Sequence, residues 1–336
     1  MKNGRYYPLS LIYQTVSRII RRLYHFGLLP SHKAPLTVVS VGNIVFGGSG
    51  KTPLVQNLLD YLSGQGFIPA LITRGYQGRW EKNGGCIPSN SKKDIDWRDT
   101  GDEPCMIARN RPHTGIFIGK DKLKSCRKAW ETGHDIAVID DGFQHYRLRR
   151  DIDIVLHSLG RRSLKREPLS SLKMADIILL EDKDPPGEKD LLRRKTGDVP
   201  VYSYSAEPAG FFQAETGKPV TQAKLKKTPV LAFCGIANPQ RFLDLLNQSG
   251  IYPRDFLVFP DHHPYPLTSI DKIIRRFHAC GAHAGITTEK DLVKLKSLLT
   301  VPEFSLWTAK IRLKIESGFF QTLKQQLDKL TAAEKK

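Results

Sequence analysis

Acidic residues are few in this chain and unevenly placed. Among 336 residues, 34 are Asp or Glu against 52 Lys or Arg, a net charge of +18, and no acidic residue precedes Asp60. Such an excess calls for an anionic partner: nucleic acid, an anionic membrane or a phosphorylated substrate. Cysteine is sparse too. Cys86, Cys105, Cys126, Cys234 and Cys280 are odd in number and widely spaced, with no CxxC pair or Cys/His cluster. This excludes a disulfide framework and a structural zinc site, and fits a reducing cytoplasm. No apolar run reaches the roughly 18 residues needed to cross a bilayer, and nothing reads as a cleavable signal peptide. There is no helix-turn-helix, zinc finger or RNA-binding aromatic signature, so nucleic acid is not expected as a partner.

What is present is a chain with 40% hydrophobic and 26% charged residues, the balance of an ordered globular protein. Its length suggests about two domains. The most informative segment is Val45-Phe46-Gly47-Gly48-Ser49-Gly50-Lys51-Thr52. It follows the apolar run Leu36–Val41 and precedes the helix-like stretch Pro53–Leu62. A strand, a glycine-rich loop and a helix in that order make a phosphate-binding loop. Backbone N–H groups and the positive end of the helix then point at a nucleoside triphosphate. Lys51 would reach the β- and γ-phosphates, and the Thr52 hydroxyl would ligate Mg²⁺. The strict pattern has glycine where this chain has Val45, with Gly47 and Gly48 supplying the flexibility instead.

Strand-like runs recur at Leu36–Val41, Ala70–Thr73, Gly115–Ile118, Ile136–Asp140, Ile152–Leu156 and Ile177–Leu180, with helix-like patterns such as Lys122–Glu131 between them. This alternation predicts an α/β fold: a mostly parallel sheet with helices on both faces. A smaller C-terminal α/β lobe is expected beyond a β-hairpin linker with a turn at 216–219. The expected division is an amphipathic N-terminal helix at 1–30, a phosphate-loop core at 31–198, the linker at 199–227 and the lobe at 228–330.

The run Ile136-Ala137-Val138-Ile139 ends in Asp140-Asp141-Gly142. A buried parallel strand would deliver these carboxylates to its C-terminal edge, where ligands bind in open α/β sheets. One or both would hold Mg²⁺ beside Thr52. In the N-terminal segment, Leu9, Leu11, Ile12, Val16, Ile19, Ile20, Leu23, Phe26 and Leu28 recur at helical spacing among Arg18, Arg21 and Arg22. Such a helix can lie on an anionic membrane, or dock on its own domain with a solvated basic face.

These motifs bring a family into view. Residues Val41–Pro53 closely resemble the loop of the tetraacyldisaccharide 4'-kinases, the lipid A 4'-kinases of Gram-negative bacteria, a family that also tolerates a non-glycine residue at the position of Val45. The resemblance continues at Thr73-Arg74-Gly75-Tyr76, Gly101-Asp102-Glu103-Pro104, Asp140–Leu148 (DDGFQHYRL) and Arg166-Glu167-Pro168-Leu169. It extends through Gly235–Phe242, Phe259-Pro260-Asp261-His262-His263 and Thr288-Glu289-Lys290-Asp291, covering about residues 36 to 295 in order.

The resemblance implies transfer of the ATP γ-phosphoryl group, with Mg²⁺, to the 4'-hydroxyl of a lipid A disaccharide 1-phosphate. The product would be lipid IVA, made on the cytoplasmic face of the inner membrane. It points to Asp102 as the proton acceptor with His262 oriented against it, and to Lys51 and Asp141 as further catalytic residues. Asn43, Arg74, Tyr76, His145, Arg147, Arg166 and Glu167 become candidate substrate contacts. Several have plain structural readings as well. GDEP can be a helix N-terminus, the prolines around His262 and His263 a rigid turn, and Arg147, Arg149 and Arg150 a solvated run. Thr288–Asp291 does not match the spacing of a guanine-reading motif. At 157–165 the chain departs from its relatives: it is shorter, without their glycine/proline-rich element, and carries extra cations. A substrate with several acyl chains partitions into the bilayer, since each buried CH₂ contributes roughly 0.8 kcal/mol, and this favours membrane contact for the N-terminal helix. A membrane-docking P-loop NTPase, acting as a switch or transport-associated ATPase, would share the loop and Asp140/Asp141. It would not need Asp102 and His262.

Overall fold

The computed structural model describes residues 7–45, 50–91, 93–157, 166–182, 187–295, 301 and 303–334. The first half runs α1 (Tyr7–His25), β1 (Thr37–Asn43), α2 (Lys51–Gly64), β2 (Pro69–Thr73), α3 (Trp80–Asn83), β3 (Gly85–Ile87), α4 (Trp97–Thr100) and α5 (Asp102–Asn110). It continues with β4 (Gly115–Ile118), α6 (Lys122–Glu131), β5 (Ile136–Asp140), β6 (Ile152–His157), β7 (Ile177–Glu181) and α7 (Glu188–Thr196). The second half holds β8 (Val201–Gln213), α8 (Gln222–Lys227), β9 (Val230–Cys234), α9 (Pro239–Gln248), β10 (Asp255–Val258) and α10 (Leu267–Ala279). β11 (Ala284–Thr288), α11 (Glu289–Leu292), β12 (Leu306–Ile315) and α12 (Gly318–Glu334) complete it.

The twelve strands of the described residues join one sheet in the order β10-β9-β11-β12-β8-β7-β6-β1-β5-β2-β4-β3. Among the described strand pairs only β3–β4 and β8–β12 are antiparallel, so the expected mostly parallel sheet is borne out. Helices cover both faces because the central strands are buried on both sides. Val39, Val41, Ile136 and Val138 face α2 through Leu54, Leu58 and Leu62. Their neighbours Val38, Ala137 and Ile139 face α6 through Leu123, Cys126 and Ala129. The period of two in each strand thus feeds two separate apolar layers. Each fully buried Val, Leu or Ile contributes on the order of 1.5–3 kcal/mol. The second unit repeats the scheme: Val230, Ala232 and Cys234 pack on α9, while Leu231 and Phe233 pack on α10.

The join between the units positions the site. Residues 199–227, expected as a hairpin linker, hold the 13-residue strand β8 followed by a tight turn whose return arm is the single bridge Phe212↔Pro219. β7 pairs with β8 only over Val201–Tyr204, whereas β12 pairs with it antiparallel from Tyr204 to Gln213. β8 therefore outruns the first unit and β12 returns toward it. β11 runs parallel to β12, and β9 to β11. The C-terminal ends of β9 and β11 consequently point back at the C-terminal ends of β1 and β5, and two ligand-binding edges face one cleft.

Candidate active site

The first wall grows from β1, α2 and β5. Gly50 caps α2 at φ 75°, a left-handed conformation that glycine adopts without steric cost. Lys51 and Thr52 follow on the first turn. Phe46, Gly47, Gly48 and Ser49, expected to cradle the phosphates, lie outside the described residues. Val45 is buried, in the apolar cluster that holds Phe143 and Leu172, so its side chain serves packing. β1 and β5 are neighbours with Val41 opposite Asp140, which sets the carboxylates beside the exit of β1. The chain then turns sharply. Asp141 has φ 53°, and a Cβ at Gly142 would meet Ser40 Oγ at 2.5 Å. Lys122, buried on α6, donates from Nζ to the carbonyls of both Asp140 and Asp141 at 2.7 Å and braces the turn.

The two consecutive carboxylates differ in state. Asp141 accepts from Lys51 Nζ at 2.5 Å and from Arg166 Nη1 at 3.0 Å. Burial works against its charge, but Lys51 and Arg166 outweigh it and hold the carboxyl far below its ordinary range. Asp140 has no such partner. Its Oδ2 accepts from Thr73 Oγ1 at 3.4 Å, and its buried Oδ1 has no hydrogen-bond partner among the described residues. Burial, then repulsion from Glu103, pushes Asp140 up to about 6. Glu103 itself accepts from Thr52 Oγ1 at 3.2 Å. A hydroxyl and two carboxylates thus converge with an oxygen left over, a donor set of the hard kind that suits Mg²⁺.

The second wall places Asp102 at the start of α5. Its carboxylate receives His262 Nδ1 at 2.9 Å and Lys294 Nζ at 3.2 Å, and the backbone N–H of Glu103 donates to it at 2.9 Å. Burial opposes ionisation of Asp102, yet the His262 hydrogen bond and the charges of Lys290 and Lys294 bring it down to about 2. His262 sits on a turn with φ 59°, and its ring meets Tyr76 edge-on at 5.0 Å between centroids. Lys290 Nζ lies 3.2 Å from His262 Nε2 and 3.3 Å from both Glu103 and Asp261. An ammonium can only donate and an ionised carboxylate can only accept, so the imidazole carries its proton on Nδ1 and directs it at Asp102. Ligand atoms of Asp102, Glu103 and His262 lie within 4.8 Å of one another. Lys290 and Lys294 already neutralise that group, which makes the Thr52–Asp140 corner the better cation site.

Lys51, Thr52, Arg74, Tyr76, Asp102, Asp140, Asp141, Arg166 and His262 line one cleft of ≈ 690 Å³. Other expected contacts point elsewhere. Arg74 pairs with Glu81 at 2.7 Å while bordering the cleft. Asn43 is buried, and its carbonyl accepts from Gln144. His145 is half-buried and lowered to about 4 by burial and the charges of Lys122 and Arg150, and Arg147 is exposed. Glu167 is fully buried, accepting from Tyr146 Oη at 2.6 Å and Arg21 Nη1 at 2.9 Å, and so ties α1 to the core. Sequence reasoning passed over Glu103, Lys290, Lys294 and Lys122 as site residues. The signal for Glu103 was its place beside Asp102. Glu181, Asn238 and Arg241, which also line the cleft, went unassigned.

With this geometry in place, comparison with known proteins is decisive. A family model described as tetraacyldisaccharide-1-P 4'-kinase, LpxK, matches residues 5–328. The chain belongs to the LpxK family. The curated tetraacyldisaccharide 4'-kinase of Desulfotalea psychrophila is 34% identical over 93% of this chain and 93% of its own length. That of Bdellovibrio bacteriovorus is 31% identical over 93% and 94%. Among solved structures, LpxK from Aquifex aeolicus, crystallised in complex with ATP, superposes with a TM-score of 0.75 at 27% identity, covering 98% of this chain and 99% of that one. The expected family, fold and activity are therefore borne out: the chain is a kinase of lipid A biosynthesis acting on a tetraacyldisaccharide. No described helix is long and apolar enough to cross a membrane.

Proposed function

We propose that the cleft binds ATP along the β1–α2–β5 wall and the disaccharide 1-phosphate against His262 and Tyr76, and transfers the γ-phosphoryl group to the 4'-hydroxyl. The observation that carries this proposal is the Asp102–His262 pair facing Lys51, Thr52 and Asp140 across one cleft. Lys51 leaves Asp141 for the β- and γ-phosphates, and Arg166 keeps Asp141 neutralised. Thr52, Asp140 and Glu103 would hold Mg²⁺, which when bound neutralises charge on the phosphate oxygens. The bond from O4' to the γ-phosphorus forms as the bond to ADP breaks, and the hydroxyl proton passes to Asp102. A carboxylate held near 2 is a weak base toward a free alcohol. It accepts the proton late, once the forming P–O bond has made that alcohol acidic. His262 keeps the carboxylate aimed.

The test is transfer of radiolabelled γ-phosphate from ATP to the tetraacyldisaccharide 1-phosphate. Lipid labelling that requires Mg²⁺ is expected. Phosphate release without lipid labelling would instead favour a membrane-docking NTPase.

The division into an N-terminal helix (1–30), a kinase core (31–198), a joining segment (199–227) and a C-terminal lobe (228–330) belongs to the same proposal, supported by the lobe's own apolar layers on β9, although Leu313 and the α12 residues Phe319, Leu323 and Leu327 pack in the layer of the core. So does peripheral attachment to the cytoplasmic face of the inner membrane. On α1, Val16, Ile19 and Ile20 are exposed, as are Arg18 and Arg22, and Phe26 and Leu28 follow at 71% and 69% exposure. An apolar and cationic surface of this kind suits an anionic interface. Removal of residues 1–28 is expected to abolish co-sedimentation with anionic vesicles while ATP binding persists; unchanged sedimentation of the folded, shortened protein would exclude α1 as the anchor.

A further inference from the structure

We propose that Lys294 is a positioning residue for phosphoryl transfer: pinned by Asp291, its ammonium fixes the Asp102 carboxylate against His262. The inference rests on Asp102 as proton acceptor and extends that site into the second unit of the sheet.

A fully buried lysine must be held by opposite charge, because an unpaired ammonium in the interior is very costly. Lys294 has no exposed side-chain surface, and its Nζ lies 3.2 Å from Asp102 and 3.4 Å from Asp291. The same ammonium stands 5.5 Å over the Tyr265 ring. Asp291 is equally buried and locked: its Oδ2 accepts from the Gly235 backbone N–H at 2.9 Å and from Thr288 Oγ1 at 2.8 Å. These donors come from the ends of β9 and β11, the strands that point back at the first wall. A chain of polar contacts therefore runs from rigid strand ends through Asp291 and Lys294 to Asp102 Oδ2, the oxygen that also lies 2.9 Å from His262 Nδ1, while Oδ1 accepts from the Glu103 N–H. Without Lys294, the carboxylate would be held only by His262 and the N–H of its own helix turn, and Oδ2 would lose the donor that reaches it from the second unit. Catalysis by placement is sensitive to displacements of this kind. A merely adhesive ion pair between α5 and the turn after α11 would predict lost stability without a selective loss of turnover.

Full-length enzyme carrying Lys294→Met is compared with wild type in single-turnover and steady-state assays with Mg²⁺, ATP and the tetraacyldisaccharide 1-phosphate. A fall in kcat of about tenfold to a hundredfold is expected, with KM for both substrates within about twofold. In an Asp102→Asn background, Lys294→Met should lower the residual rate no further, since the residue acts through Asp102. Asp291→Asn, which keeps the lysine but loosens its pin, should reproduce part of the loss; it carries the test if Lys294→Met does not fold. Wild-type kcat in the folded variant, or an equal loss with and without the Asp102 carboxylate, would overturn the inference. Near-native turnover by Asp102→Asn would remove the proton acceptor itself, a separate failure. An inactive Asp102→Asn beside a fully active Lys294→Met would sink only the role of Lys294.

Discussion

On the β1–β5 wall, one of two neighbouring carboxylates is paired with cations and the other is not hydrogen-bonded to any among the described residues. Asp141 is satisfied by Lys51 and Arg166, but Asp140 is repelled by Glu103 across the cleft, and among the described residues one of its buried oxygens has no hydrogen-bond partner. Across the cleft the reverse holds. Asp102 is met by His262 and Lys294, and Lys290 closes the gap to Glu103 and Asp261. The first wall is left to be completed by its ligand, whereas the second is completed by the protein. A triphosphate with its cation supplies what the first wall needs, and a carboxylate already held in place is what an arriving hydroxyl needs.

The sharpest challenge to this contrast is Lys51→Ala. Loss of the one cation expected to move onto the phosphates should lower turnover on the order of 10³-fold. A loss of only a few-fold would mean that Arg166 or Lys122 serves the phosphates instead. Asp140→Asn should cost on the order of 10²-fold in kcat, yet stabilise the metal-free protein. The sign follows from the raised folded value: Asp140 keeps its proton to about 6 against an ordinary 3.8. Stability of the metal-free protein therefore declines as pH rises through that window and stays lower above it. The substitution should remove the decline and raise stability at neutral pH by about 1–2 kcal/mol. It should also erase the gain in melting temperature that Mg²⁺ gives the wild type. Thermal melts with and without Mg²⁺ read all three; a destabilised Asp140→Asn would contradict a buried carboxylate that is costly to ionise. The smallest effect is expected at Lys290→Met, which touches both walls. Its loss should cost about tenfold in kcat, with Asp102–His262 still joined. An effect as large as that of Lys51 would place Lys290 among the phosphate contacts.

Much of this was legible in the sequence because the first wall is local. The apolar run Ile136–Ile139, the acids after it and the Gly50-Lys51-Thr52 corner each lie in one short segment. Strand, turn and helix physics there follow from neighbours. The pairing of β8 with β12 was not legible: Tyr204 sits opposite Ile315, and no local pattern fixes so distant a register. The same distance hid Lys294, which reads as an ordinary helix-end lysine until β11 brings it to Asp102. Glu167 and Asn43 carried the motif's promise of substrate contact, but Arg21 and Tyr146 hold Glu167 inward, and Asn43 is buried at the end of β1. Glu103 was overlooked for the opposite reason. Beside Asp102 at a helix start it resembled a dipole partner, and only the packing of α5 against α2 set it on the Thr52 hydroxyl.

The most direct measurement is single-turnover transfer of labelled γ-phosphate to the lipid disaccharide by Asp102→Asn, with both substrates saturating. Transfer should fall by about 10²–10⁴-fold, with ATP binding and melting behaviour at neutral pH showing a folded protein. Near-native transfer by the folded variant would contradict Asp102 as the proton acceptor and, with it, the assignment of the second wall to the sugar hydroxyl.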